Sequence, residues 1–169
     1  MDLLKNTGFI VGILLCLSGQ AMQAQDHEHD HDHPQHHHAH PNNEIGIGNY
    51  LTYLAGEKEW AYSIHIHYLR FFEQSRFGVG IGYEQILDEH RHRSLTIVGA
   101  FRPTSPLVLS LAPGILFGTQ EDPGIRFTLH TEAVYEFEIN RFHLGPALEF
   151  ATTFDEFHIG IGLHVAFAF

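Results

Sequence analysis

FHIGIGLHVAFAF, residues 157–169, decides the fold. Phe157, Ile159, Ile161, Leu163, Val165, Phe167 and Phe169 alternate with His158, Gly160, Gly162, His164, Ala166 and Ala168. Successive side chains of a β-strand point to opposite faces. A period of two therefore puts every bulky apolar group on one face and every small or polar group on the other.

The same pattern recurs upstream. Stripes begin with Ile45, Ile47, Leu51 and Tyr53, then Tyr62, Ile64, Ile66 and Tyr68, then Phe77, Val79, Ile81 and Tyr83. Leu95, Ile97 and Phe101 form a fourth, and Leu107, Leu109, Leu111, Ile115 and Phe117 a fifth. Ile125, Phe127, Leu129, Ala133, Tyr135 and Phe137 make a sixth, and Phe142, Leu144, Leu148 and Phe150 a seventh. Turn-forming stretches separate them: GEKE (56–59), EQSR (73–76), DEHRHR (88–93), PTSP (103–106), TQEDPG (119–124), EINR (138–141) and TTFDE (152–156). Seven turns imply eight antiparallel strands joined as hairpins. Each strand has roughly 9–13 residues, the length that a strand crossing a bilayer at a tilt needs.

Which face is inside decides the class. An eight-stranded barrel has little interior room, so the bulky stripes belong outside, against lipid. The other face carries Gly46, Gly48, Ser63, His65, His67, Gly78, Gly80, Gly82, Thr96, Ser110 and Ala112. Strand charges fall there too: Glu84, Arg102, Arg126, Glu132, Glu136 and Glu149. Polar inside and apolar outside is the pattern of a membrane barrel. Tyr53, Trp60, Tyr62, Tyr68, Tyr83 and Tyr135 lie nearer strand ends, where aromatic girdles form. Pro113 and Pro146 fall mid-strand on the lipid side and each removes a ladder donor. The expected fold is all-β: an eight-stranded antiparallel transmembrane β-barrel over 44–169 with a disordered N-terminal tail.

On this pattern the chain resembles the small eight-stranded outer-membrane β-barrel proteins of diderm bacteria, of the OmpA-transmembrane-domain and OmpX type. The resemblance covers 44–169 and rests on strand count, turn spacing and the alternation of Leu163, Val165 and Phe167 up to Phe169. It implies an outer-membrane location among lipid and lipopolysaccharide. It also implies recognition by the outer-membrane assembly machinery through the C-terminal strand. Relatives often carry long extracellular loops, and none is long here. With both barrel ends periplasmic, PTSP, EQSR and EINR are periplasmic turns and the other four face outward.

The first 24 residues read as a secretory signal peptide: Lys5, the apolar run FIVGILLCL (9–17), then small residues around Ala21 and Ala24. Cys16 falls in that apolar run and follows Leu15, where a lipidated cysteine needs a small residue. Residues 25–43 follow, with QDHEHDHDHPQHHHAHP at 25–41. That stretch has no apolar residue larger than Ala39, so it cannot offset the entropy of ordering and is expected to be disordered. It would hang in the periplasm. His27, His29, His31, His33, His36, His37, His38 and His40 are candidate metal ligands, because imidazole binds zinc, copper, nickel and cobalt. The alternating acids can orient the rings or ligate directly. Protonation near a His pKa of about 6.5 would reverse the sign of the stretch and eject metal. The alternative is a solvated acidic tail.

Composition bounds the rest. The 169 residues carry a formal net charge of −11 and only two lysines, which argues against nucleic acid as partner. A single cysteine excludes disulfide scaffolds and cysteine-based zinc folds. No apolar run suffices for a mature membrane-spanning helix. Glycine alternations such as GVGIG (78–82) sit inside strands with no helix following, so they are not phosphate loops or sites for an organic cofactor.

A second histidine set faces inward: His65 and His67 on strand two, His130 on strand six and His164 on strand eight, with Glu132 beside His130. At similar heights in a narrow lumen they form either a metal or proton relay or a hydrogen-bonded polar plug. Asp88, Glu89, His90 and His92 share an outward loop that can bind metal weakly, while Arg91 and Arg93 can pair with lipopolysaccharide phosphates. Some barrels of this size hydrolyse lipid A with a lipid-facing His and Ser. Here Ser63, Ser94, Ser110 and the strand histidines point inward, so no enzymatic activity is expected. The leading expectation is an outer-membrane barrel whose tail binds or buffers divalent transition metals and assists a metal transporter. A structural or interaction barrel with an incidental tail is the alternative, and a narrow pore the third.

Overall fold

The computed structural model describes residues 42–88, 91–118 and 124–169. The expected leader and nearly all of the histidine-rich stretch, including His27 to His40, lie outside the described residues. So do Glu89, His90 and the core of the TQEDPG turn.

The strand segments are β1 (Asn43–Leu54), β2 (Glu59–Phe71), β3 (Phe77–Leu87), β4 (Arg93–Thr104), β5 (Leu107–Phe117), β6 (Ile125–Tyr135), β7 (Phe137–Ile139), β8 (Phe142–Thr152) and β9 (Phe157–Ala168). Neighbours pair antiparallel, and β1 pairs with both β2 and β9, which closes the sheet. β6 and β7 are one stave interrupted at Glu136. Both pair with β8, and the register Val134↔Ala147 resumes unchanged as Phe137↔Leu144. The barrel therefore has eight staves, as the stripes imply. Gly145 faces the interruption, and a Cβ there would overlap the Tyr135 carbonyl oxygen. Among the described residues the ladder slips once, between Phe101 and Thr104, beside Pro103, which has no N–H to donate.

Register fixes the barrel's shape. From Asn43 the pairing runs through Arg70, Val79, Gly99, Leu111, Thr131, Phe150 and Ile159, and returns to β1 at Tyr53, ten residues on. A shift of ten residues around eight staves tilts the strands by about 40°, within the usual range for barrels. The lumen at that size is wide enough for side chains and little else.

Burial is inverted relative to a soluble protein. β8 alternates exposed Phe142, Leu144, Leu148 and Phe150 with buried His143, Ala147, Glu149 and Ala151. Ile97 and Ile81 pair in mid-sheet and are 69% and 59% exposed, a surface that only an apolar surround favours. Closure leaves no sheet edge, so the backbone satisfies itself without water. Trp60 stacks obliquely on Tyr53 at one end of the barrel, while Tyr68 and Tyr135 lie toward the other. Pro113 and Pro146 sit within β5 and β8 on the outer face.

The lumen also holds bulkier groups than the expected small residues. Tyr50, Leu69, Phe71, Val98, Val108 and Val134 are buried together inside. Glycines make the room: Gly48 and Gly162 carry no Cβ that would collide with the Tyr50 ring. The β1–β2, β3–β4, β5–β6 and β8–β9 connections leave the strands at one end of the barrel. The turns at 72–76, 105–106 and 140–141 and residues Asn43 and Phe169 share the other, where Phe169 N–H donates to the Asn43 carbonyl. Lys58, Gln74, Arg91 and Asn140 take the left-handed conformation that tightens their turns.

Candidate metal centre

Alternation carries six imidazoles and five carboxylates into the lumen: His65, His67, His130, His143, His158 and His164, with Glu44, Glu84, Glu132, Glu136 and Glu149. Most are fully buried; Glu149 and His164 are 0% and 1% exposed. Buried ionisable groups are tolerated only in mutual company. Their arrangement falls into two clusters along the barrel, with a bridging pair.

At the end that holds the chain termini of the barrel, Arg102 is the organising cation. Its Nη2 lies 3.1 Å from Glu136 Oε2 and 3.8 Å from Glu44 Oε2, and its guanidinium stacks 4.4 Å from the Phe71 ring centre. His143 Nδ1 donates to Glu44 Oε2 at 2.6 Å and lies 3.5 Å from Glu136. His67 Nε2 reaches within 3.9 Å of the other Glu44 oxygen. His67 and His164 stack at 5.0 Å with their Nε2 atoms 3.3 Å apart. Two Nε2 atoms at that distance share one proton or turn their lone pairs to one cation. Gly46 permits the stack, since a Cβ there would press on both Nε2 atoms.

His65 forms the bridge. Its ring meets that of His67 edge-on at 5.5 Å, and its Nδ1 lies 3.2 Å from Glu132 Oε2.

The second cluster lies toward the opposite end. His130 Nδ1 donates to Glu149 Oε1 at 3.0 Å and lies 3.7 Å from Glu84 Oε2. His158 Nε2 is 3.7 Å from Glu84 Oε1, and the His130 and His158 rings meet edge-on. One ligand atom from each of Glu84, His130, Glu149 and His158 lies within 4.8 Å of all the others.

Of the four inward histidines expected from sequence, His65, His67 and His164 are brought into contact, and His130 joins the other cluster. His143, His158, Glu44 and Tyr50 were not singled out. The signal was present for the histidines: each alternates with a bulky apolar neighbour in its own strand. Between β3 and β4, His92 Nδ1 pairs with Asp88 Oδ2 at 2.5 Å, with Glu57 close by. Ser63 and Ser94 are buried in the lumen and Ser110 also faces it.

No family model matches the chain, and no curated protein matches it. Solved structures do. Ail, the attachment invasion locus protein of Yersinia pestis, in complex with the heparin analogue sucrose octasulfate, is 17% identical. It matches over 75% of this chain and 97% of its own, at a TM-score of 0.55. Ail in a phospholipid bilayer nanodisc gives 16% identity, 76% and 99% coverage, and a TM-score of 0.51. A de novo designed transmembrane β-barrel gives 13% identity, 75% and 96% coverage, and a TM-score of 0.52. The chain thus has the fold of the small eight-stranded transmembrane β-barrels.

Proposed function

We propose that this chain is an outer-membrane barrel that binds divalent transition-metal ions. The observation that carries the reading is where its histidines lie. Eight of sixteen crowd into residues 26–40, and six more line the lumen. The apolar outer surface and the fold support the outer-membrane location. The barrel end that holds Asn43 and Phe169 would face the periplasm, which puts the histidine-rich tail there to capture zinc, copper, nickel or cobalt for a partner transporter. The lumen is filled by Tyr50, Leu69, Phe71 and the two ionisable clusters, which favours a plug over an open pore.

The test is a calorimetric titration of the refolded mature chain with zinc, copper and nickel at pH 7.5 and 5.5. A variant with the eight tail histidines changed to asparagine runs beside it. Tight binding that falls in the variant, and falls again at pH 5.5 as imidazoles protonate, is expected. Equal binding by both proteins would remove the tail from the account. No binding by either would leave a structural barrel.

A further inference from the structure

We infer that Glu84, His130, Glu149 and His158 form a buried site for one divalent first-row transition-metal ion, with zinc the best fit. This deepens the metal-binding reading above and rests on it for the kind of ion, but not on the tail.

Donor chemistry comes first. Two imidazoles and two carboxylates make a nitrogen and oxygen set that suits zinc, and the absence of thiolate disfavours softer ions. One ligand atom from each of the four residues lies within 4.8 Å of the other three, and His158 Nε2 stands 3.7 Å from Glu84 Oε1, close to the ligand-to-ligand edge of a four-coordinate ion with bonds near 2.0–2.2 Å.

Satisfaction comes second. Each of the four residues keeps one buried side-chain atom without a hydrogen-bond partner: Glu84 Oε1, His130 Nε2, Glu149 Oε2 and His158 Nε2. Orphaned buried polar atoms are costly, and four within one side-chain cluster point to a ligand that the protein itself does not supply.

Charge comes third. Glu84 and Glu149 are 3% and 0% exposed, and their basic partners are imidazoles, not Arg or Lys. Two neutral imidazoles, two carboxylates and a divalent cation sum to zero, the state that a dry lumen favours. The other cluster differs, because the Arg102 guanidinium already lies against both Glu44 and Glu136. Approach is available from the loop end. A cavity lined by Leu54, Ile86, Leu116, Thr152 and Glu156 reaches the site at His158, with Glu57, Asp88 and His92 grouped nearby.

The experiment uses the full mature chain with its eight tail histidines changed to asparagine, refolded in detergent. Zinc binding is read by equilibrium dialysis, and folding by the migration shift of the unheated barrel in gel electrophoresis. One zinc per chain is expected. Adding His130→Asn with His158→Asn should weaken it at least 100-fold, whereas adding Ser110→Ala, a lumen change outside the donor set, should leave it. Glu84→Gln keeps the side-chain shape and repeats the test should the histidine pair fail to fold. No zinc in the tail-substituted chain, or undiminished zinc in the Glu84 and His130/His158 variants, overturns the site. If the intact chain binds only the one zinc of its tail-substituted form, the tail reading fails while the lumen site stands.

Discussion

His130 Nδ1 donates to Glu149 Oε1 at 3.0 Å across the β6–β8 ladder, with both side chains buried in the lumen. An ionised carboxylate only accepts, so the bond places the imidazole proton on Nδ1. That is the arrangement by which a carboxylate fixes the orientation of a metal-binding histidine.

Replacing Glu149 by Gln keeps an acceptor for His130 and removes one negative charge. The barrel should fold, and zinc affinity should fall by about 10- to 100-fold. Dialysis of the variant against the parent checks it; equal affinity would take Glu149 out of the site.

The Arg102 guanidinium lies against both Glu44 and Glu136. Arg102→Ala leaves both carboxylates buried without it and should cost about 3–5 kcal/mol of stability. Denaturant unfolding of the refolded barrel measures the loss. Adding Glu136→Gln should recover part of it, since one stranded charge is then gone.

Close strand contact at Gly145 leaves no space for a methyl group, because the obstacle is the Tyr135 backbone. Gly145→Ala should slow or abolish folding into lipid vesicles. Gly124 has nothing within 4 Å of its Cβ position, so Gly124→Ala should fold like the parent. Similar folding of the two variants would contradict the tight packing of β6 on β8.

Ile97 lies in mid-strand and is 69% exposed. Ile97→Arg should cost about 2–4 kcal/mol in a bilayer if that face meets the hydrocarbon midplane. Phe154, 89% exposed in the 153–156 turn, should tolerate Arg at about 0–1 kcal/mol. Vesicle-folding equilibria for the two variants give the comparison.

Much of this was legible in the sequence, and the limit has a geometric cause. Period two tells which face a residue takes, so Glu84, Glu132, Glu149, His65 and His130 were placed inward on parity alone. Parity says nothing of height. The ten-residue stagger around the barrel sets height, and only the register shows it. That stagger is why His130 meets His158 instead of His164. The break at Glu136 was equally hidden, because the alternation Tyr135, Glu136, Phe137 runs through it unbroken. Tyr50 was not singled out, yet its parity turns it into the lumen, where Gly48, Gly160 and Gly162 on two strands leave it room.

The most direct measurement is X-ray absorption at the zinc edge on the zinc-loaded chain with its tail histidines replaced. The account predicts a four-coordinate environment of nitrogen and oxygen at about 2.0–2.2 Å with the outer-shell signature of imidazole. Six-coordinate zinc bound by water, without imidazole scattering, would contradict it.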